Sequence, residues 1–251
     1  MGKRTKARWL ASCMAAVTVL GSAGVPAAAK EAEQPAAAES GERSFVPDAK
    51  ADKGNFNTGW KFSLGDTAGA EQKEFDDSQW EDIQIPHDFS MDQEFSAQYE
   101  AESGFLPGGT GWYRKTVVFP GDYEGKTLTL NFDGVYNHAY VYVNGNKIGE
   151  NFYGYNDFSL DITDYVTCDG KTENVISVKA VNEFPSSRWY SGSGIYRDVT
   201  LTVSGDIHVA DEGTYVTTPD LETEQGGDVT VHVETDVRNE RKESGTVTVR
   251  T

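Results

Sequence analysis

Apolar and polar residues alternate along the middle of the chain in short runs broken by turn residues. Trp60, Phe62 and Leu64 alternate with Lys61 and Ser63, the mark of a strand with one buried face. Ile83-Gln84-Ile85 is a second short run, ended by Pro86. Trp112 to Phe119, Lys126 to Phe132, Ala139 to Val143, Phe158 to Ile162, Asn174 to Val181 and Val199 to Val203 extend the series. Asn144-Gly145 separates Ala139–Val143 from Lys147-Ile148-Gly149. This dipeptide predicts a two-residue hairpin, because both central positions of the favoured turn need positive φ. Strands about 8 to 12 residues apart, with no helical run, predict an all-β chain: an antiparallel jelly-roll sandwich over 55–205. Charges such as Lys147 and Lys179 are expected to blunt its edges.

The flanks read differently. Residues 30–54 carry Ala, Glu and Pro with few large apolars, so a disordered acidic, Ala-rich linker is expected, with order beginning near Phe56. Ser90 to Pro107 has no sustained period and reads as a loop punctuated by Gly108-Gly109-Thr110-Gly111. This is no phosphate cradle, since no helix follows and no Lys-Ser/Thr pair closes it. Beyond Gly205, valines at 209, 216, 229, 231, 233, 237, 247 and 249 alternate with Thr and charge around a polar segment, Thr218 to Gly227. Residues 206–251 therefore predict the first strands of an immunoglobulin-like sandwich. That fold needs about seven strands, so a truncated domain, and a fragment of a longer protein, is expected.

Residues 1–29 have the form of a secretory signal: a basic head from Lys3 to Arg8, an apolar stretch from Trp9 to Leu20, and Ala27-Ala28-Ala29 as the cleavage site. The apolar stretch is short for a membrane span, which needs about 20 residues. Leu10-Ala11-Ser12-Cys13 resembles a lipoprotein box, but most of the apolar run follows Cys13 rather than preceding it. A secreted, extracellular protein is expected. Its formal charge is −18, and loss of the four leader cations takes it near −22. Such a balance opposes binding to nucleic acid or an anionic membrane and leaves neutral sugars unaffected. Cys168 would be the sole cysteine after cleavage, which excludes an intrachain disulfide and a cysteine-based zinc site.

The most chemically loaded stretch joins the last two strands of the sandwich, from Asn182 to Asp198. Such a connection is ordinarily short and polar; this one holds Arg188, Trp189 and Tyr190, then Gly192 and Gly194. Aromatic faces stack on sugar rings and a guanidinium supplies a fork of donors to hydroxyls. The plainer reading has the aromatics plug the sandwich end and Arg188 pair with a carboxylate. His87 and Asp88, just after the Ile83–Ile85 run, form a second candidate pair; there the plain alternative is an Asp capping a turn beside a packed His. Asn182 and Glu183 are placed to orient the Arg188 loop.

Arg-Trp-Tyr-Ser-Gly-Ser-Gly-Ile-Tyr-Arg-Asp-Val at 188–199 resembles a motif of the N-terminal sugar-binding domain of glycoside hydrolase family 2, β-galactosidase branch. Asp76-Asp77-Ser78-Gln79-Trp80 followed by Pro86-His87-Asp88, and Gly109-Thr110-Gly111-Trp112-Tyr113-Arg114, resemble the same domain. The resemblance implies a jelly roll, an immunoglobulin-like domain and then a (β/α)8 barrel with the two catalytic glutamates of a retaining glycosidase. A barrel needs about 250 residues, so no catalytic residue is expected in this chain.

The resemblance implies hydrolysis of terminal β-D-galactosides by the whole enzyme. Another family activity such as β-glucuronidase, or a non-catalytic carbohydrate-binding module, are the alternatives. Substrate-binding roles fall to Arg188, Trp189, Tyr190, Asp88 and His87. No cofactor or metal is expected here, although the parent is expected to use Mg or Na if either. Arg188 stands where some relatives have an Asp that helps bind sugar and sodium. Gly108 and Gly109 stand where some have a sugar-contacting Asn. The implied partners are a β-galactoside and the barrel of the same polypeptide.

Overall fold

The computed structural model describes residues 17–18, 52–186, 188–222, 228–240 and 243–249. The leader, Val17 and Thr18 apart, and most of the 30–54 linker lie outside them. The chain divides into two compact units, Pro47–Gly205 and Asp206–Thr251, the latter with Met1–Val46. Among the described residues no helix is long and apolar enough to cross a membrane.

In chain order the strands are β1 (Val17–Thr18), β2 (Asp52–Asn55), β3 (Trp60–Leu64), β4 (Glu81–Ile83), β5 (Gly109–Val117), β6 (Thr127–Phe132) and β7 (His138–Val143). Then come β8 (Asn146–Asn151), β9 (Phe158–Asp161), β10 (Asn174–Asn182), β11 (Val199–Ser204), β12 (Ile207–Thr217) and β13 (His232–Asn239). The larger unit is an all-antiparallel pair of sheets, as the alternation predicts. One has six strands in the order β4-β3-β5-β10-β7-β8, the other four in the order β2-β11-β6-β9. One core unites their inner faces: Trp60, Phe62, Tyr113, Val141 and Ile176 from the first, Leu128, Leu130, Phe132 and Leu201 from the second. The Asn144-Gly145 hairpin forms, with φ of 48° and 79°.

Several boundaries differ from the expectation. Strand pairing begins at Asp52, where β2 lies against β11 with Asn55 opposite Thr200; no apolar residue marks this edge strand, because backbone bonds alone register it. β5 starts at Gly109, inside the glycine-rich piece read as loop. There glycine serves close packing: a Cβ on Gly111 would stand 2.7 Å from the Phe62 ring and 2.9 Å from Phe89. Lys147 lies on the edge strand β8, but Lys179 lies on β10, an inner strand. Its ammonium bonds Asp66 at 2.8 Å and lies 5.8 Å from the centre of the Trp112 ring.

The outer face of β10 is covered by the segment between β3 and β4, and one buried cation fastens it. Arg114, on β5, bonds Asp77 Oδ2 at 2.8 Å and Ser177 Oγ at 3.0 Å. It also donates to the carbonyls of Ala70 at 2.5 Å and Gln72 at 3.0 Å. A buried guanidinium is tolerable only when its donors are met in this way.

In the smaller unit, β12 and β13 pair from Ile207 opposite Asn239 to Thr217 opposite His232. The register shifts between Val209 and Thr214, around Glu212 at φ 52°. β1 pairs with the other side of β13. No strand forms over the described residues 243–249, so the Val247–Val249 alternation does not pair there. Val209, Tyr215 and Val216 are exposed, so the alternation of this hairpin is not matched by a buried face.

Candidate functional site

The segment between β10 and β11 does not arch freely. Its base is stitched into the sandwich, and Ser193 is the centre of the stitching. Ser193 is fully buried. Its Oγ accepts from Asn182 Nδ2 at 2.8 Å and meets Ser90 Oγ at 2.6 Å. Asn182 also reaches the Gly192 carbonyl at 3.3 Å. Gly194 exchanges both backbone bonds with Tyr136, at 2.8 and 2.7 Å. Its φ is 103°, and a Cβ there would collide with the Tyr113 hydroxyl. Glycine at 194 is thus required both by backbone angle and by space.

His87 and Asp88 meet this base directly. The His87 amide donates to the Ile195 carbonyl at 2.8 Å, and the Phe89 amide to Ser193 at 3.0 Å. Asp88 Oδ1 accepts from the amides of Ser90 at 3.1 Å and Ser193 at 2.8 Å. Asp88 Oδ2 accepts the Tyr190 hydroxyl. Asp88 therefore caps its own turn, the plain role foreseen for it, and also ties the 188–194 segment. His87 is packed edge-on against Phe62, with Nδ1 2.9 Å from Tyr113 OH and Nε2 2.9 Å from Asp92.

Burial, then the bond to Asp88, pushes the Tyr190 phenol well above its ordinary range. Burial likewise raises Tyr113. Both stay protonated donors. Burial also raises the Cys168 thiol, with Glu124 and Asp169 adding to it, so this cysteine is no ready nucleophile.

A cleft of about 320 Å³ opens over this arrangement, lined by His87, Asp88, Tyr190, Ser191, Gly192 and Tyr196 among others. Three of the five sequence-predicted residues, His87, Asp88 and Tyr190, come together there. Arg188 and Trp189 do not line it: both are exposed, Trp189 at 72%. Among the described residues the Arg188 guanidinium has no carboxylate partner, and only its amide is held, by Ser186 Oγ at 3.2 Å. The aromatic plug and the structural ion pair are thus not found at Arg188 and Trp189. A guanidinium cannot ligate sodium, so the sodium contact that the resemblance associates with this position does not carry over to Arg188. Gly108 has no room for a side chain at all, since a Cβ would strike the Asn182 carbonyl.

Sequence reading missed Ser191, Tyr155 and Tyr196. Tyr155 donates to Ser191 Oγ at 2.6 Å and Tyr196 to the Gly154 carbonyl at 2.7 Å. Ser191 and Tyr196 stand within the 188–199 motif but carry no assigned role there, and Tyr155 carried no signal beyond a neighbouring tyrosine at 153. Asp92, the His87 partner, carried no signal beyond its place five residues on.

The comparisons fit this geometry. Residues 54–204 match the family model described as the glycosyl hydrolases family 2 sugar binding domain. The chain is 41% identical over 201 residues to beta-galactosidase BoGH2A of Bacteroides ovatus, covering 79% of this chain and 23% of that protein. It is 39% identical over 175 residues to a putative beta-glucuronidase of Formosa agariphila, covering 68% of this chain and 17% of the relative. A solved family 2 glycosyl hydrolase from Bacteroides cellulosilyticus superposes with a TM-score of 0.69 at 39% identity, over 77% of this chain and 26% of that one. The chain spans about a quarter or less of the relatives it matches. With its sandwich, its 182–199 connection and a family match over 54–204, this chain belongs to glycosyl hydrolase family 2 and carries that family's N-terminal sugar-binding domain.

Proposed function

We propose that this chain is the N-terminal part of a secreted, retaining β-galactosidase that removes terminal β-D-galactosides, and that its catalytic barrel follows Thr251. The observation that carries the reading is the 41% identity, over most of the chain, to the Bacteroides ovatus galactosidase. The sandwich then acts as a scaffold. Its cleft and the exposed Arg188–Trp189 tip complete the sugar site of a barrel on the same polypeptide. Two glutamates about 5 Å apart would do the chemistry from the barrel, so residues 1–251 alone are inactive. The basic leader directs export, and regions further along the polypeptide could hold the enzyme at the cell wall.

The test is hydrolysis by the full-length protein. Aryl β-galactoside is expected to be cleaved at least about tenfold faster, as kcat/KM, than aryl β-glucuronide. The opposite preference overturns the reading in favour of a β-glucuronidase. That second reading has its own support in the 39% identity to a putative glucuronidase and in Arg188, which meets no carboxylate among the described residues and whose guanidinium suits a uronate carboxylate. The third reading, a free-standing carbohydrate-binding module, predicts heat on titrating residues 45–205 with galactose or lactose. We expect no binding in the millimolar range, because half the site is missing.

A further inference from the structure

Three hydroxyls line the cleft, and each spends its proton on an acceptor that can only accept. Tyr190 donates to the Asp88 carboxylate. Ser191 donates to the Trp189 carbonyl at 2.8 Å. Tyr196 donates to the Gly154 carbonyl at 2.7 Å. A carbonyl or ionised carboxylate has no hydrogen to offer, so the direction of all three bonds is fixed. What each hydroxyl has left to offer a ligand is a lone pair. Ser191 has that lone pair already engaged in part by Tyr155.

The other lining side chains do not reverse the sign, and Arg197, which lies 5.1 Å from the centre of the Tyr196 ring, is itself not among them. Asp88 contributes negative charge. His87 has both ring nitrogens engaged, by Tyr113 and Asp92. No Lys or Arg is among the lining residues. Gly192 brings the backbone up to the carboxylate, where a Cβ would lie 3.2 Å from Asp88 Oδ2.

We propose that the side chains of this cleft form an acceptor-rich recognition surface that admits the donor hydroxyls of a neutral sugar and turns away a uronate. A sugar hydroxyl can donate to Tyr190 or Tyr196. A uronate carboxylate carries only acceptors, so it would set lone pairs against lone pairs and its charge against Asp88, the like-charge juxtaposition that suppresses wrong ligands. The exposed Arg188 lies outside the lining and does not cancel this. The inference rests on the galactosidase reading and names the residues of this domain that would enforce it.

The test compares aryl β-galactoside with the matching aryl β-galacturonide, which differs only in carrying a carboxylate at C6, in the full-length enzyme. Wild type should favour the galactoside by about 100-fold or more in kcat/KM. Asp88→Asn removes the charge and should cut that ratio by about tenfold, with the galacturonide rate rising in absolute terms, which mere loosening of the fold cannot produce. Tyr196→Phe leaves the Asp88 ties intact and decides the matter should Asp88→Asn fail to fold. It should slow galactoside hydrolysis about fivefold or more and leave the galacturonide unchanged. A ratio that moves less than about twofold in every variant that folds overturns the inference alone. Wild-type preference for the uronide overturns both it and the galactosidase reading.

Discussion

Arg114 and Arg188 both stand in the motifs that resemble the family, and the sandwich treats them in opposite ways. Arg114 is buried, and its donors reach Asp77, Ser177 and two carbonyls within 3.0 Å. Arg188 is exposed, and among the described residues its guanidinium meets no carboxylate. The same side chain is a fastener in one place and an open hand in the other. Burial and partner supply, not residue type, decide which.

Replacing Arg114 by Met should have the largest effect. It leaves Asp77 and several carbonyls without their donor, a loss of about 3–5 kcal/mol in urea unfolding. Arg188→Ala in the same measurement should fall within about 0.5 kcal/mol of wild type. Equal losses would erase the contrast.

Gly194→Ala comes next, at about 2–4 kcal/mol, since the new methyl meets both a closed backbone angle and the Tyr113 hydroxyl. Gly205→Ala, where no atom lies within 4 Å of the added carbon, is the matched control and should be near neutral. Asn182→Ala strips a buried donor from Ser193 and Gly192 and should lose about 1–3 kcal/mol.

Arg188→Ala should show itself only in kinetics, as about 1–3 kcal/mol in the kcat/KM of the full-length enzyme. Unchanged kinetics would remove it from the sugar site.

The smallest effect is a slope. Tyr190 keeps its proton in the folded state, whereas an unfolded tyrosine gives it up near pH 10. The folded state then binds more protons than the unfolded one, so stability falls as pH rises past about 10. Tyr190→Phe should flatten part of that fall, and a slope identical to wild type would mean that Tyr190 is neither buried nor bonded to Asp88 in solution.

Most of the fold was legible because its strands obey a period of two and its hairpin carries Asn-Gly. β2 escaped because pairing of an edge strand needs no apolar signal. β5 was cut short because glycine in a strand looks like glycine in a loop until its neighbours, Phe62 and Phe89, are in place. Lys179 misled for a related reason: a charge reads as an edge unless a distant Asp66 is known to cover it. In the candidate site, His87, Asp88 and Tyr190 were legible as residue types. Their convergence was not, since it depends on bonds between positions more than a hundred residues apart. The hydroxyls of Ser191 and Tyr196 were invisible for the same reason, because what matters in them is where each proton points.

Ser193 is gripped at once by Asn182, Ser90 and Asp88, and this has a consequence for how such a domain can change. Beyond Asn182 the Phe184 ring packs at Gly108 and the Ser186 amide donates to Glu100 at 3.1 Å, and at Tyr190 the chain is tied to Asp88. The exposed tip at Arg188 and Trp189 can vary in chemistry without the sandwich having to refold. Change at the tip is therefore uncoupled from selection on the sandwich that carries it.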